Sequence, residues 1–112
     1  MAVTLVAGGC QSSEPSAESL IGLHLSQAED IAEGGLQVYD LTTRLTTTAD
    51  EYDPNEEEAK GRWTVVGVCS PSGDARGKDT SVGIIPAAEY KGAIEAKAKA
   101  GGYDYLIAEC QK

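Results

Sequence analysis

Arg62-Trp-Thr-Val-Val-Gly-Val-Cys69 and Thr80-Ser-Val-Gly-Ile-Ile85 are the two most strand-like runs in the chain. β-Branched and aromatic residues fill both, as suits a pleated, packed surface. Between them lies Ser70-Pro-Ser-Gly-Asp-Ala-Arg-Gly77, a composition that turns rather than extends. The pair predicts a β-hairpin. Upstream, Leu36-Gln-Val-Tyr-Asp-Leu41 alternates well enough to be another strand. Before it, Ser26-Gln-Ala-Glu29 has the spacing of a capping box. Ala28, Ile31 and Ala32 then continue one apolar face, and Gly34-Gly35 stops the helix. That helix is short, about two turns, so packing must hold it.

Downstream, Pro86 opens a helix over residues 87–100 that is rich in Ala, Glu and Lys. Gly101-Gly102 ends it, and Tyr103-Asp-Tyr-Leu-Ile-Ala-Glu109 reads as a last strand. Residues 42–61 contain Asp50-Glu51, Asp53-Pro54-Asn55 and Glu56-Glu57-Glu58, and predict a long, exposed, acidic loop. The expected order is α-β-β-β-α-β, an α+β fold: a helix packed on a three-stranded sheet, with a C-terminal helix–strand extension.

The 112 residues fit one small domain, and 41% hydrophobic content is enough for a folded core. Phe is absent and there is one Trp, so Val, Ile, Leu, Ala and a few Tyr must build that core. Eighteen acidic against nine basic side chains leave a formal charge of -9. Such a surface excludes nucleic acid as the main partner, because phosphate binding needs a basic face. No apolar run approaches the roughly 20 residues of a membrane helix.

The start of the chain, Met1-Ala-Val-Thr-Leu-Val-Ala-Gly-Gly-Cys10, is small and apolar and ends on a cysteine. Gln11-Ser-Ser-Glu-Pro-Ser-Ala17 follows, polar and without hydrophobic period. The two together resemble the end of a bacterial lipoprotein signal and its tether, which implies a lipid on Cys10. Ala7 stands where a branched residue is usual, no basic segment precedes the apolar one, and nine residues are few for a signal. The other reading is an edge strand over residues 2–7 with a plain thiol at Cys10. The expected organisation is a truncated signal-like segment at 1–10 and a Ser-rich linker at 11–18. The main domain then spans 19–86, with its extension at 87–112.

If Cys10 carries lipid, Cys69 and Cys110 remain as a pair. One ends the strongest strand and the other lies at the end of the last. Neighbouring strands would bring them within the roughly 4.4–6.8 Å Cα separation that a disulfide needs. Such a bond stabilises a loop of this length by roughly 3–4 kcal/mol. Two buried free thiols are the alternative. A zinc site is not expected, since no CxxC pair exists and the one histidine, His24, is far from any cysteine.

Ile21-Gly-Leu-His-Leu-Ser-Gln-Ala-Glu-Asp-Ile-Ala-Glu-Gly-Gly-Leu-Gln-Val38 resembles the opening of a PASTA domain: an apolar residue, Gly, Leu, a helix with central Ala, a Gly cap and a first strand. Trp63, Val65, Pro71 and Gly73 fall close to that family's second strand and Pro-containing turn, and Val82, Ile84 and Ile85 to its third strand. The likeness covers about residues 20–86. Cys69 replaces a usual Gln, the spacing from Trp63 to Pro71 is one residue longer, and the acidic loop and residues 87–112 have no counterpart. The resemblance implies an extracytoplasmic, non-enzymatic module associated with peptidoglycan fragments, with no catalytic residues and no cofactor.

Other chemistry finds little support in the residues. His24 could serve as base to a Ser or Cys nucleophile, but nothing local marks one as activated. The 50–58 carboxylates could hold Ca²⁺, yet an EF-hand register begun at Asp53 puts Glu58 where Gly is needed. No phosphate-cradling Gly-rich motif occurs. Among the aromatics, Trp63, Tyr103 and Tyr105 are expected in the core. The sequence favours a surface-anchored lipoprotein binding module for cell-wall material or an envelope protein, held at the outer face of the cell membrane by its lipid. A structural or assembly protein of a virion or envelope complex, without lipid, is the alternative. A small hydrolase using His24 is a third reading.

Overall fold

Residues 63–69 and 81–86 are buried at every position, not at alternate ones. A strand pair with that pattern must be covered on both faces. The computed structural model describes residues 16–33, 36–48, 50–53, 55–71, 73, 75 and 80–107. Three strands, β1 (Gln37–Asp40), β2 (Trp63–Cys69) and β3 (Ser81–Pro86), form a mixed sheet in the order β1-β3-β2. β2 and β3 pair antiparallel, as the hairpin reading expects, and β1 runs parallel to β3 on its other side. The helices are α1 (Leu25–Ile31), α2 (Thr42–Leu45) and α3 (Gly92–Lys99). Short 3₁₀ turns lie at Ala17–Leu20, Glu57–Arg62, Ala87–Glu89 and Asp104–Leu106. The fold class is α+β.

The sheet divides the core into two clusters. On one face, Trp63, Val65, Val68, Val82 and Ile84 pack against Ala17, Leu20, Leu25 and Ala28 of the N-terminal turn and α1. On the other, Val66 and Ile85 pack against Leu41, Ala98, Tyr103 and Leu106. A bulge makes this division possible. The register moves by one between Val65, opposite Ile84, and Gly67, opposite Gly83. Val66 is the extra residue, so Val68 joins Trp63 and Val65 on a face that strict alternation would deny it.

The same bulge lets the C-terminal segment dock. Gly67 and Gly83 face each other across β2 and β3. A Cβ on Gly67 would stand 3.1 Å from the Tyr103 carbonyl oxygen, and one on Gly83 would collide with the Leu41 side chain. The missing side chains leave a slot for the turn Asp104–Leu106 and for Leu41. Asp104 Oδ1 accepts the Val68 N–H at 2.9 Å. Further along the same outer edge, Gly22 N–H donates to the Val65 carbonyl at 2.8 Å and Val65 N–H to the Leu23 carbonyl at 2.9 Å. His24 and Thr64 complete a one-residue bridge. The edge of β2 is thus closed by segments that are not strands.

Several sequence expectations are corrected. α1 is capped by His24, not Ser26: the His24 N–H donates to Gln27 Oε1 at 3.0 Å. Glu29, expected to close the capping box, instead takes Lys60 Nζ at 3.0 Å in a half-buried ion pair. Residues 42–61 are no plain solvated loop, since they hold α2, the Glu57–Arg62 turn and a fully buried Thr42. The long helix expected over 87–100 is broken at Tyr90 and Lys91. Lys91 is fully extended, and α3 begins at Gly92, whose φ of +59° few other residues adopt. Where a last strand was expected over 103–109, residues 104–106 form a 3₁₀ turn, and 108 and 109 lie outside the described residues. Tyr103, Leu106 and Ile107 are buried there at helix-like spacing, while Tyr105 is 59% exposed and not in the core.

Two predictions follow from this packing. Gly83→Ala forces the buried Leu41 side chain to move and should cost about 1–3 kcal/mol. Gly61→Ala meets open space and should stay within about 0.5 kcal/mol of wild type. Urea denaturation of both separates the outcomes. For Asp104, burial raises the carboxyl above its ordinary pKa, opposed in part by the Val68 N–H. Ionising it therefore costs the folded state more than the unfolded one. Relative to Asp104→Asn, which keeps an acceptor, the wild type should lose stability as pH rises from about 3.9 through the raised folded value. Denaturation of the pair across that range checks the sign.

Candidate functional site

The first residue of β2 and the last of β3 are register partners, Trp63 and Pro86. Their apolar surfaces form the floor of an open cleft of about 190 Å³ at that end of the sheet. Asp50, Glu51, Glu56 and Arg62 form its walls. Trp63 is itself 6% exposed, so only a strip of the indole meets the cleft. Tyr52 packs edge-on against it, with ring centroids 5.6 Å apart and planes at 79°. This is a favoured aromatic geometry, and it fixes the wall to the floor.

Asp40 sets where that wall runs. Its Oδ1 accepts the Thr42 N–H at 2.9 Å and the Thr42 hydroxyl, and its Oδ2 accepts the Tyr52 N–H at 3.0 Å. One carboxylate at the end of β1 therefore starts α2 and anchors the 50–53 segment. On the other side, the ion pair between Lys60 and Glu29 ties the Glu57–Arg62 turn to α1. Arg62 follows directly and enters the cleft wall as the chain becomes β2.

None of Asp50, Glu51, Glu56 and Arg62 forms an ion pair with another described residue. Three carboxylates and a guanidinium stand around one cleft, all exposed, with an apolar strip between them. Chemically, such a site can hold a cation on its carboxylates and a carbonyl or anion on the guanidinium, with an apolar stem along the floor. It contains no hydroxyl or thiol paired with a base. Asp53 is turned away into a local turn, its Oδ1 accepting the Asn55 N–H at 2.9 Å. Among the described residues, no group of three or more His, Cys, Asp or Glu converges as metal ligands.

The residues singled out by sequence are dispersed. His24 is exposed at the start of α1 and hydrogen-bonds no hydroxyl, thiol or carboxylate side chain among the described residues. Cys69, 4% exposed at the end of β2, is disulfide-bonded and so offers no thiol for a His24-based hydrolase. Cys10, the lipidation candidate, and Cys110, the expected partner of Cys69, both lie outside the described residues. Among the described residues, no helix is long and apolar enough to cross a membrane. The pairing of Trp63 with Pro86 across the hairpin, which brings Pro86 into one cleft with Arg62, was missed by sequence reasoning. Arg62, Trp63 and Pro86 are visible in the sequence, but their meeting depends on strand register. Comparison with known proteins returns no match to any family model, curated protein or solved structure.

Asp40→Ala removes the acceptor for three donors, two of them on backbone. It should cost about 1.5–3 kcal/mol and should shift the emission of Trp63, the only tryptophan, as Tyr52 loses its anchor. Asp40→Asn, which keeps one acceptor, should cost less. Denaturation curves followed by tryptophan fluorescence report both effects.

Proposed function

We propose that this protein is a non-enzymatic, extracytoplasmic binding module with a PASTA-like fold. It is held at the outer face of a bacterial membrane by a lipid on Cys10, and its partner is cell-wall material or another envelope protein. The observation that supports binding most directly is the open cleft over Trp63 and Pro86, ringed by charges that pair with no described residue. It offers a docking surface and places no nucleophile beside a base. The disulfide at Cys69 adds support for export, because such bonds persist in oxidising compartments. We pair Cys69 with Cys110, which leaves Cys10 for the lipid. A helix, α1, packed on a three-stranded sheet is the coarse arrangement that the resemblance over residues 20–86 implies. A net charge of -9 continues to speak against a nucleic-acid partner.

Intact mass of the protein purified from its own cell tests this reading. The expected species begins at Cys10, carries acyl mass, and loses two hydrogens to a single disulfide. An unmodified chain that retains Met1 would overturn the anchor and favour a structural or assembly protein without lipid.

A further inference from the structure

The cleft walls and floor differ from a general acidic surface in three respects. The floor is apolar, formed by Trp63 and Pro86 at matched ends of two core strands. A guanidinium, Arg62, shares the walls with Asp50, Glu51 and Glu56, and yet it is in no ion pair with them. The volume, about 190 Å³, is below the roughly 300–1,000 Å³ of pockets that enclose a whole small-molecule ligand. A site of that size takes one side chain of something larger.

From this we infer that the cleft is an anchor pocket for a single basic side chain, lysine or arginine, on an extended segment of a partner polypeptide. The inference rests on the binding-module reading and names the chemistry of its partner. The methylene stem lies along Trp63 and Pro86, where a long cationic side chain buries its apolar part. Its charged head sits among the carboxylates of Asp50, Glu51 and Glu56. Arg62, a donor with no acceptor capacity, hydrogen-bonds main-chain carbonyls on either side of the anchor. The chain's own charge of -9 favours a basic partner in the same direction and speeds its approach. A partner residue seated in a pocket with a polar rim is how protein interfaces concentrate their affinity.

The test uses the full chain and the emission of Trp63 as an occupancy signal. The probes are N-acetylated, C-amidated tripeptides of the form Ala-X-Ala, where X is lysine, arginine, norleucine or glutamate. Lysine and arginine peptides should bind at least tenfold more tightly than norleucine, with glutamate weakest, and the preference should shrink as salt is raised. Glu51→Gln combined with Glu56→Gln should remove the preference. Arg62→Ala should also weaken the lysine peptide. A bare acidic patch would bind cations more tightly without its arginine, so that result would overturn the pocket. Equal binding of lysine and norleucine would overturn it too. Thermal unfolding of each variant checks that these surface changes leave the fold intact. Glycan strands stripped of peptide are the competing probe. If they saturate the cleft while the peptides do not, a polypeptide occupant is wrong and the binding-module reading survives. An unlipidated native chain would instead remove the membrane anchor and leave the pocket standing.

Discussion

Everything else in the molecule depends on two strands that are apolar on both sides. β2 and β3 together place Val65, Val66, Val82, Ile84 and Ile85 at zero exposure. At roughly 25 cal/mol per Å² of apolar surface, leaving either face of such a sheet in water would erase the stability of a domain this small. The chain must therefore supply two covers. The N-terminal turn and α1 supply one, while α2, α3 and the Asp104–Leu106 turn supply the other. The bulge at Val66 decides which side chain goes to which cover, and the glycines at 67 and 83 let the second cover approach closely.

The cleft is a consequence of the same frame. Because β2 and β3 pair to their ends, Trp63 and Pro86 meet at the boundary of the core, partly shielded and partly open. The acidic segment has to pass this point on its way from α2 to β2, and Asp40 and Tyr52 hold it there. Structure and site thus share residues: Trp63 packs the core and floors the cleft. Substitution at the floor would disturb folding, whereas the charged walls can be altered with little cost to the core.

The strands were legible in the sequence because their signal is local. Continuous β-branched runs separated by Ser70-Pro71 and closed by Pro86 define a hairpin without reference to the rest of the chain. The start of α1 was misplaced because Ser26 and Glu29 satisfy the capping-box pattern, yet packing chose His24 and Gln27 two residues earlier. Residues 103–107 show a different failure. Tyr103, Tyr105 and Ile107 alternate as a strand would, but Tyr105 is exposed and Leu106 is buried. Their conformation is set by the slot at Gly67 and Gly83, distant in sequence, which no local pattern encodes. The cleft was illegible for the same reason: the acidic stretch was visible, but its neighbour Pro86 arrives only through strand register. Cys69 is disulfide-bonded, and its expected partner Cys110, like Cys10, lies outside the described residues.

The central claim is that the sheet is covered on both faces and closed along the β2 edge by Leu23 and Asp104. Native-state amide hydrogen exchange reads this residue by residue. Val65 and Val68 donate outward from that edge, to the Leu23 carbonyl and the Asp104 carboxylate. The account predicts that both amides exchange as slowly as the amides of β3 at the sheet centre, and that Val68 alone speeds up in Asp104→Ala. Rapid exchange of Val65 and Val68 in the wild-type protein, at rates typical of an open strand edge, would contradict it.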